Sequence, residues 1–424
     1  MISRITLFTV AFLGLVPGTA LAQATPADVG LAADTTAAVG CADPACTECG
    51  ECGTCDDWIT CGRFGLNHDA NCACPVCRPR HAWASAEALM WWGKGRSTVP
   101  LVTSGANGVL PNAPVLFGDG SVGNRMAAGA RADFGFWVDD CENLGLGVKV
   151  WGLNGDSTQF HGQSLSGSPV LARPFFNVVQ DQEDAFLVAS PGLIVGSLSA
   201  DTTSTILATE AYLRSAMFSG RGYNIDFIGG YHFLRFDNDL SVFSNSMSID
   251  PGGVVPVGTI INVLDEFNAE NEFHGGMFGL ASEARYGKWS LGSVLKCSVG
   301  NMRQSIEIDG YQSVTTPNSA STITPGGILA QPTNMGTYQR DVTAWIPELS
   351  VNLGYDVRNW LRFTIGYNAL WISNAAFAGD QIDYGVNPTQ FGGNPLIGPA
   401  RPEFTFQEND YWLHGLTIGG TLLF

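Results

Sequence analysis

The sequence predicts an all-β fold: a transmembrane antiparallel up-and-down β-barrel of about ten strands, within a range of ten to twelve, with long connections at one end and short turns at the other. Three observations predict it. Charged residues make up 14% of the 424-residue chain, well under the roughly 25% of soluble domains, so much of the surface faces something other than water. Apolar and polar residues alternate with period two along most of the chain. After residue 22 no run of about 18 or more apolar residues occurs, which leaves a closed barrel as the way to cross a bilayer with every backbone group paired.

The elements follow in order. Arg4, the apolar run 5–16, Pro17-Gly18 and Ala20-Leu21-Ala22 read as a signal peptide, residues 1–22, cleaved before Gln23. The first cysteine, Cys41, lies too far beyond that point for a lipoprotein, so no lipid anchor is expected. Residues 23–40 are rich in Ala and Thr without periodicity and read as a disordered leader. Residues 41–81 form a Cys-rich segment on the periplasmic side, and 82–424 form the barrel.

Ten strands are predicted near 83–93, 124–138, 143–157, 203–217, 222–236, 273–286, 288–308, 341–356, 360–373 and 409–424. In the second, Met126, Ala128, Ala130, Ala132, Phe134, Phe136 and Val138 share one face while Arg131 and Asp133 share the other, which suits lipid outside and a polar interior. Tyr223, Ile225, Phe227, Tyr231 and Phe233 repeat the pattern against Asn224, Asp226 and His232, and Leu361, Phe363, Ile365, Tyr367 and Trp371 repeat it against Arg362, Thr364 and Asn368. Connections alternate between short (139–142, 218–221, 287, 357–359) and long (93–123, 156–202, 237–272, 309–340, 374–408), which puts both mature termini in the periplasm. The apolar runs 169–179 and 186–198 in the second long connection suit an extra hairpin or a segment folded into the lumen. Phe218, Tyr223, Tyr286, Trp289, Tyr355 and Trp360 cluster at the short turns as an interfacial girdle. The last strand alternates through Trp412, His414, Leu416, Ile418 and Leu422 to a terminal Phe424, a pattern that suits recognition by the barrel-assembly machinery.

Several stretches carry a resemblance. These are Trp91-Trp92 with Pro100-Leu101-Val102-Thr103, Gly129-Ala130-Arg131 leading to Gly135-Phe136-Trp137, Ile346-Pro347-Glu348-Leu349, Gly366-Tyr367, Gly379-Asp380-Gln381-Ile382-Asp383, and Asp410-Tyr411-Trp412 with Gly415-Leu416. From about Trp83 to Phe424 the chain resembles β-barrel porin family seven of planctomycete-type outer membranes. The resemblance implies an outer-membrane location; it says less about activity, because function lives in sites rather than folds.

The inward faces collect Glu87, Asp133, Glu210, Asp226, Glu283 and Glu348 against Arg131, Lys149, Arg214, Arg285, Lys296 and Arg362. Two readings stand: a charged constriction that screens solutes, or a salt-bridged plug that closes a narrow lumen. Between Arg235 and Arg285 there is no Lys or Arg, while Asp237, Asp239, Asp250, Asp265, Glu266, Glu270 and Glu272 gather at the expected outer rim. They suit a solvated acidic loop, or divalent-cation binding near a pore mouth, although calcium-loop spacing is absent. Cys41, Cys46, Cys49, Cys52, Cys55, Cys61, Cys72, Cys74 and Cys77 are read first as disulfides and second as a zinc or other soft-metal site; nine is odd, and Cys141 offers a partner for the last thiol. No resident cofactor is expected. A rim hydrolase built on His232 and His274 with Asp237, Asp239 and Glu272 is a third, weaker reading, since no nucleophile motif joins them.

The net charge of −18 argues against nucleic acid as a partner. Membrane lipid, small solutes and other envelope proteins are the partners expected. The functional expectation is passive diffusion of small hydrophilic solutes with cation preference; the alternative is a closed structural or surface-display barrel.

Overall fold

The structure, a computed structural model, describes residues 81–122, 126–139, 142–220 and 222–424. The nine cysteines from Cys41 to Cys77, Cys141, and the predicted signal peptide and leader lie outside the described residues.

Ten strands form the barrel: β1 (Ala82–Gly93), β2 (Met126–Trp137), β3 (Leu144–Ser164), β4 (Ile194–Gly220), β5 (Tyr223–Ser248), β6 (Ile260–Tyr286), β7 (Trp289–Thr315), β8 (Gly336–Arg358), β9 (Leu361–Ala375) and β10 (Asn409–Leu423). Each pairs antiparallel with its sequence neighbours, and β10 pairs with β1, for example Ala88 with Ile418, so the sheet closes into a ring through the membrane band. Sequence neighbours pair because the turns are tight. At Gly287 a left-handed φ of 59° reverses the chain between Tyr286 and Trp289, and the Asp139 carboxylate accepts the amide hydrogens of Asn143 and Leu144.

A band of outward side chains, among them Phe134, Phe136, Val148, Leu213, Phe278, Leu291, Leu349 and Ile365, is exposed and apolar. Rows of aromatics bound it: Phe218, Tyr223, Tyr286, Trp289, Tyr355 and Trp360 at the turn end, and Trp345, Trp371 and Trp412 toward the loop end.

β4 to β7 run 26 or 27 residues, whereas β1 and β2 run 12. The sequence reading ended β4, β5 and β6 within a few residues of the second aromatic row and carried β7 to residue 308; at that row the pattern inverts. On β5, Tyr223, Phe227 and Tyr231 face out while Asn224, Asp226 and His232 are buried; beyond Phe233 the buried inward residues become Leu234, Phe236, Leu240 and Val242, and Arg235, Asp237 and Asp239 take the outer face. The same inversion separates exposed Leu295 and Val299 from buried Met302, Ile306 and Ile308 on β7. Lipid has given way to water outside, so the apolar face must turn inward.

What it turns toward is protein. The hairpin Leu171–Asn177 and Gln182–Ala189 packs inside the tall wall and joins Val102–Thr103, Val115–Phe117 and Gly385–Val386 in a small separate sheet. Leu101, Phe117, Leu171, Phe175 and Ile328 share one core with Leu198, Val242, Phe267 and Ile306 of the wall. The expected long connection 237–272 is thereby corrected: only 249–259 lie between β5 and β6.

Candidate functional site

The lumen has three layers. At the turn end the twelve sequence-predicted charges meet as follows. Arg131 Nη1 lies 3.3 Å from Glu87 Oε2 and donates to Asn368 Oδ1 at 3.2 Å. Lys296 Nζ reaches Glu210 at 2.5 Å and Glu348 at 3.0 Å, with Lys149 at 3.7 Å from Glu210. Because Lys296 is on β7 and Glu210 on β4, three strands away around the ring, this link is a chord across the lumen. Glu283 on β6 makes a second chord to Arg362 on β9 at 2.5 Å and also holds Arg285 at 2.9 Å. Arg214 pairs with Asp226 at 2.5 Å. Among the described residues, Asp133 alone of the twelve has no cation in contact; its Oδ1 accepts from Trp83 Nε1 at 2.9 Å and Tyr212 OH at 2.7 Å. Beneath these groups a cavity of about 260 Å³ opens toward the turns.

Above the charges lies an apolar slab to which every strand contributes: Leu89 and Trp91 from β1, Ala127 from β2, Trp151 from β3, Ile206 from β4, Phe236 from β5, Phe273 from β6, Met302 from β7, Ile346 from β8, Ile372 from β9 and Tyr411 from β10. Its one member from a connection is Phe377, whose ring lies 5.2 Å from Phe236 and 5.6 Å from Tyr411, beneath the Arg96 guanidinium at 3.0 Å.

The third layer is the folded connections, whose backbone is held by wall side chains. Asn271 accepts from Ala376 N at 2.8 Å and donates to Ala376 O at 2.9 Å; Asn238 accepts from Ala378 N at 3.0 Å; Gln304 donates to Asn374 O at 2.6 Å. Asp265 Oδ1 accepts from Ile328, Leu329 and Ala330 amides at 2.9, 3.0 and 2.7 Å, and its Oδ2 pairs with buried Arg173.

Asp265 therefore departs from its expected place on the rim, since it faces the interior and is fully buried. Asp237, Asp239, Glu266, Glu270 and Glu272 sit on the outer face of the tall wall rather than around a mouth. Arg235 gathers Asp237 and Glu270 at 3.0 Å each, with Glu272 at 4.0 Å. Burial first, and the Asp237 carboxylate second, push Asp239 above the usual carboxylate range. No group of three or more metal-ligating side chains with metal-site geometry occurs among the described residues. The two histidines lie on opposite faces of the wall: His232 is buried with Nδ1 2.8 Å from Ser298 Oγ, and His274 is outside with Nδ1 2.6 Å from Tyr231 OH. They share no site.

Asn238, Asn271, Arg173 and Phe377 went unnoticed in the sequence. An amide among apolar residues of one parity, as Asn238 between Phe236 and Leu240, was the available signal.

A ring of ten antiparallel strands, apolar and aromatic-bounded outside and with charged residues facing inward at the turn end, defines a transmembrane barrel of the outer-membrane class. The chain belongs to the family Putative beta barrel porin-7 (BBP7), whose sequence model matches residues 83–424. No curated protein matches it. Among solved structures, it is similar to the outer membrane protease OmpT of Escherichia coli (13% identity, TM-score 0.37, covering 82% of this chain and 97% of that one). It is also similar to a Pseudomonas aeruginosa FadL homologue (8%, 0.21, 81% and 90%) and to the toluene transporter TodX of Pseudomonas putida (8%, 0.18, 82% and 90%).

Proposed function

We propose that the protein is a closed outer-membrane barrel that carries the tall wall and its folded connections at the cell surface, with the short turns and both mature termini in the periplasm. The slab carries this reading. All ten strands fill one cross-section with apolar side chains, commonly two per strand and so roughly 6–7 Å deep, and a hydrated ion would have to shed its water to pass. The charges below it neutralise one another across the lumen instead of lining a path. On this reading the connections and the Cys-rich segment make the envelope contacts.

Passive diffusion of small hydrophilic solutes is the second reading, favoured by one observation: Phe377 enters the slab from a connection, so withdrawal of 374–378 would thin it. Cation preference would then come from the overall net charge of −18, because the predicted rim carboxylates other than Asp265 face away from the lumen and Asp265 is neutralised by Arg173. The test is single-channel conductance of the refolded mature protein in a planar bilayer under a salt gradient. A folded barrel that stays silent supports the closed reading. Sustained discrete steps overturn it, and cation-weighted reversal would carry the second.

A further inference from the structure

The cavity at the turn end has a lining that neither the closed lumen nor the fold requires. Three inward aromatic rings pack onto glycines of the wall: Trp83 covers Gly135, Trp137 approaches Gly145 at 2.8 Å from where a Cβ would stand, and Tyr212 approaches Gly147 at 2.5 Å in the same sense. Any larger residue at those glycines would push the rings into the lumen. Trp83 and Trp137 are neighbours, with centroids 5.0 Å apart and planes tilted by 49°. All three rings line the cavity.

Around this aromatic floor the polar groups are mixed in kind and balanced in sign. Lys149, Arg214, Arg285, Lys296 and Arg362 accompany Glu87, Asp133, Glu142, Glu210 and Glu283, and Ser85, Ser282, Ser293, Asn352 and Thr421 complete the lining. Several have capacity to spare. Asp133 uses only Oδ1 for Trp83 and Tyr212. Lys149, an ammonium with three hydrogens, has a single carboxylate contact at 3.7 Å. Arg214 commits Nε to Asp226, and the Thr364 hydroxyl has no partner.

An ion fits this lining poorly, because either sign meets five like charges. An uncharged ring bearing several hydroxyls fits well. Its hydroxyls donate to the carboxylates and accept from the ammonium and guanidinium groups, while its C–H face lies on the electron-rich aromatic faces. A cavity of about 260 Å³ is just under the roughly 300 Å³ lower bound of ordinary ligand pockets, which limits the occupant to one small ring. We infer that the turn-end cavity is a binding site for a monosaccharide-sized, uncharged polyol, stacked on Trp83 and Tyr212 and hydrogen-bonded to Asp133 and Lys149. This does not depend on whether the lumen conducts.

The experiment is saturation-transfer NMR on the refolded mature barrel in an uncharged detergent without a sugar headgroup, using D-glucose and N-acetylglucosamine as probes and choline and acetate as charged comparators. Transfer to sugar ring C–H protons, with neither ion responding, is expected. Asp133→Asn should weaken it about tenfold, the loss of about 1.4 kcal/mol. A second variant, Gly292→Leu, blocks the cavity away from the aromatic floor: a Cβ there meets nothing nearer than 3.8 Å, so the barrel tolerates it. It should abolish transfer while leaving the thermal transition in place. Absence of sugar transfer, transfer to choline or acetate instead, or sugar transfer that survives Gly292→Leu each overturns the proposal.

Discussion

Asp265→Ala offers the sharpest test of what holds the connections inside the tall wall. The carboxylate is fully buried and accepts three consecutive backbone amides, those of Ile328, Leu329 and Ala330, as well as the Arg173 guanidinium. Its removal strands Arg173, itself 1% exposed, and leaves three buried N–H groups without an acceptor. Breaking a buried ion pair from one side costs about 3–5 kcal/mol, and each orphaned buried donor about 1–3 kcal/mol. The contributions share one carboxylate and do not add, so about 3–5 kcal/mol is the sensible lower estimate. Since 1.4 kcal/mol is tenfold, local opening of residues 326–335 should become about a hundredfold to several thousandfold more frequent. Hydrogen–deuterium exchange read by mass spectrometry reports it directly. Exchange should rise in 326–335 and in the Leu171–Asn177 hairpin strand, and stay unchanged in the membrane band of β8 and β9. Arg173→Met should cost less than Asp265→Ala, because the remaining carboxylate keeps its three amide donors. Unchanged exchange at 326–335 in Asp265→Ala, or an equal cost for the two variants, would refute the argument.

Two further outcomes follow from the same geometry. Lys296→Met leaves Glu210 and Glu348, 1% and 3% exposed, without their shared cation, and should lower stability by about 3–5 kcal/mol in a denaturant titration; a loss under about 1 kcal/mol would mean the chord is not holding the lumen together. Asp239→Asn should stabilise the outer part of β5 at neutral pH. The Asp239 carboxyl is pushed up in the folded chain by burial and by Asp237, so its ionisation opposes folding above that raised range, and the opposition disappears as pH falls through it. The variant's gain, read as slower local proteolysis between residues 235 and 248, should therefore shrink on acidification; a gain that grows on acidification contradicts the sign.

The membrane part of the barrel was legible because lipid and lumen impose opposite demands on alternate residues, and the chain obeys them from Met126 through Leu422. The twelve lumen charges were legible for the same reason, parity alone sufficing to aim them inward. Of the tall wall, only β7 was legible, its predicted strand already reaching residue 308 of the observed Trp289–Thr315. Once β5 passes Phe233 the outer residues become Arg235, Asp237 and Asp239, and a reader following apolar residues on the odd positions sees the strand stop. The strand in fact continues with its apolar residues on the even positions, Leu234, Phe236, Leu240 and Val242. Alternation with an inverted phase is still alternation, and tracking period without fixing phase would have carried the strand to Ser248. Asp265 was misplaced by the same step, since it was assigned by the company of Glu266 and Glu270 rather than by its parity. Pairings such as Arg173 with Asp265, 92 positions apart, leave no local trace in a sequence.

Amides anchor the connections for a reason that lies in the closed sheet. β5 and β6, which carry the two anchoring asparagines, already spend their backbone hydrogen bonds on neighbours at both sides, so a chain passing them in the lumen finds no edge to pair with, yet its own amides and carbonyls still require partners once buried. Side chains that donate and accept at once meet this need. Asn271 presents both functions to Ala376 and imitates one rung of a ladder; Asn238 takes the next accessible amide, Ala378, two residues on. The residue between them, Phe377, is thereby turned away from the wall and into the slab, where Phe236, Tyr411 and Arg96 enclose its ring. Two buried asparagines thus determine where the slab receives its central side chain, and the polar contacts that hold the connection are also what complete the apolar seal.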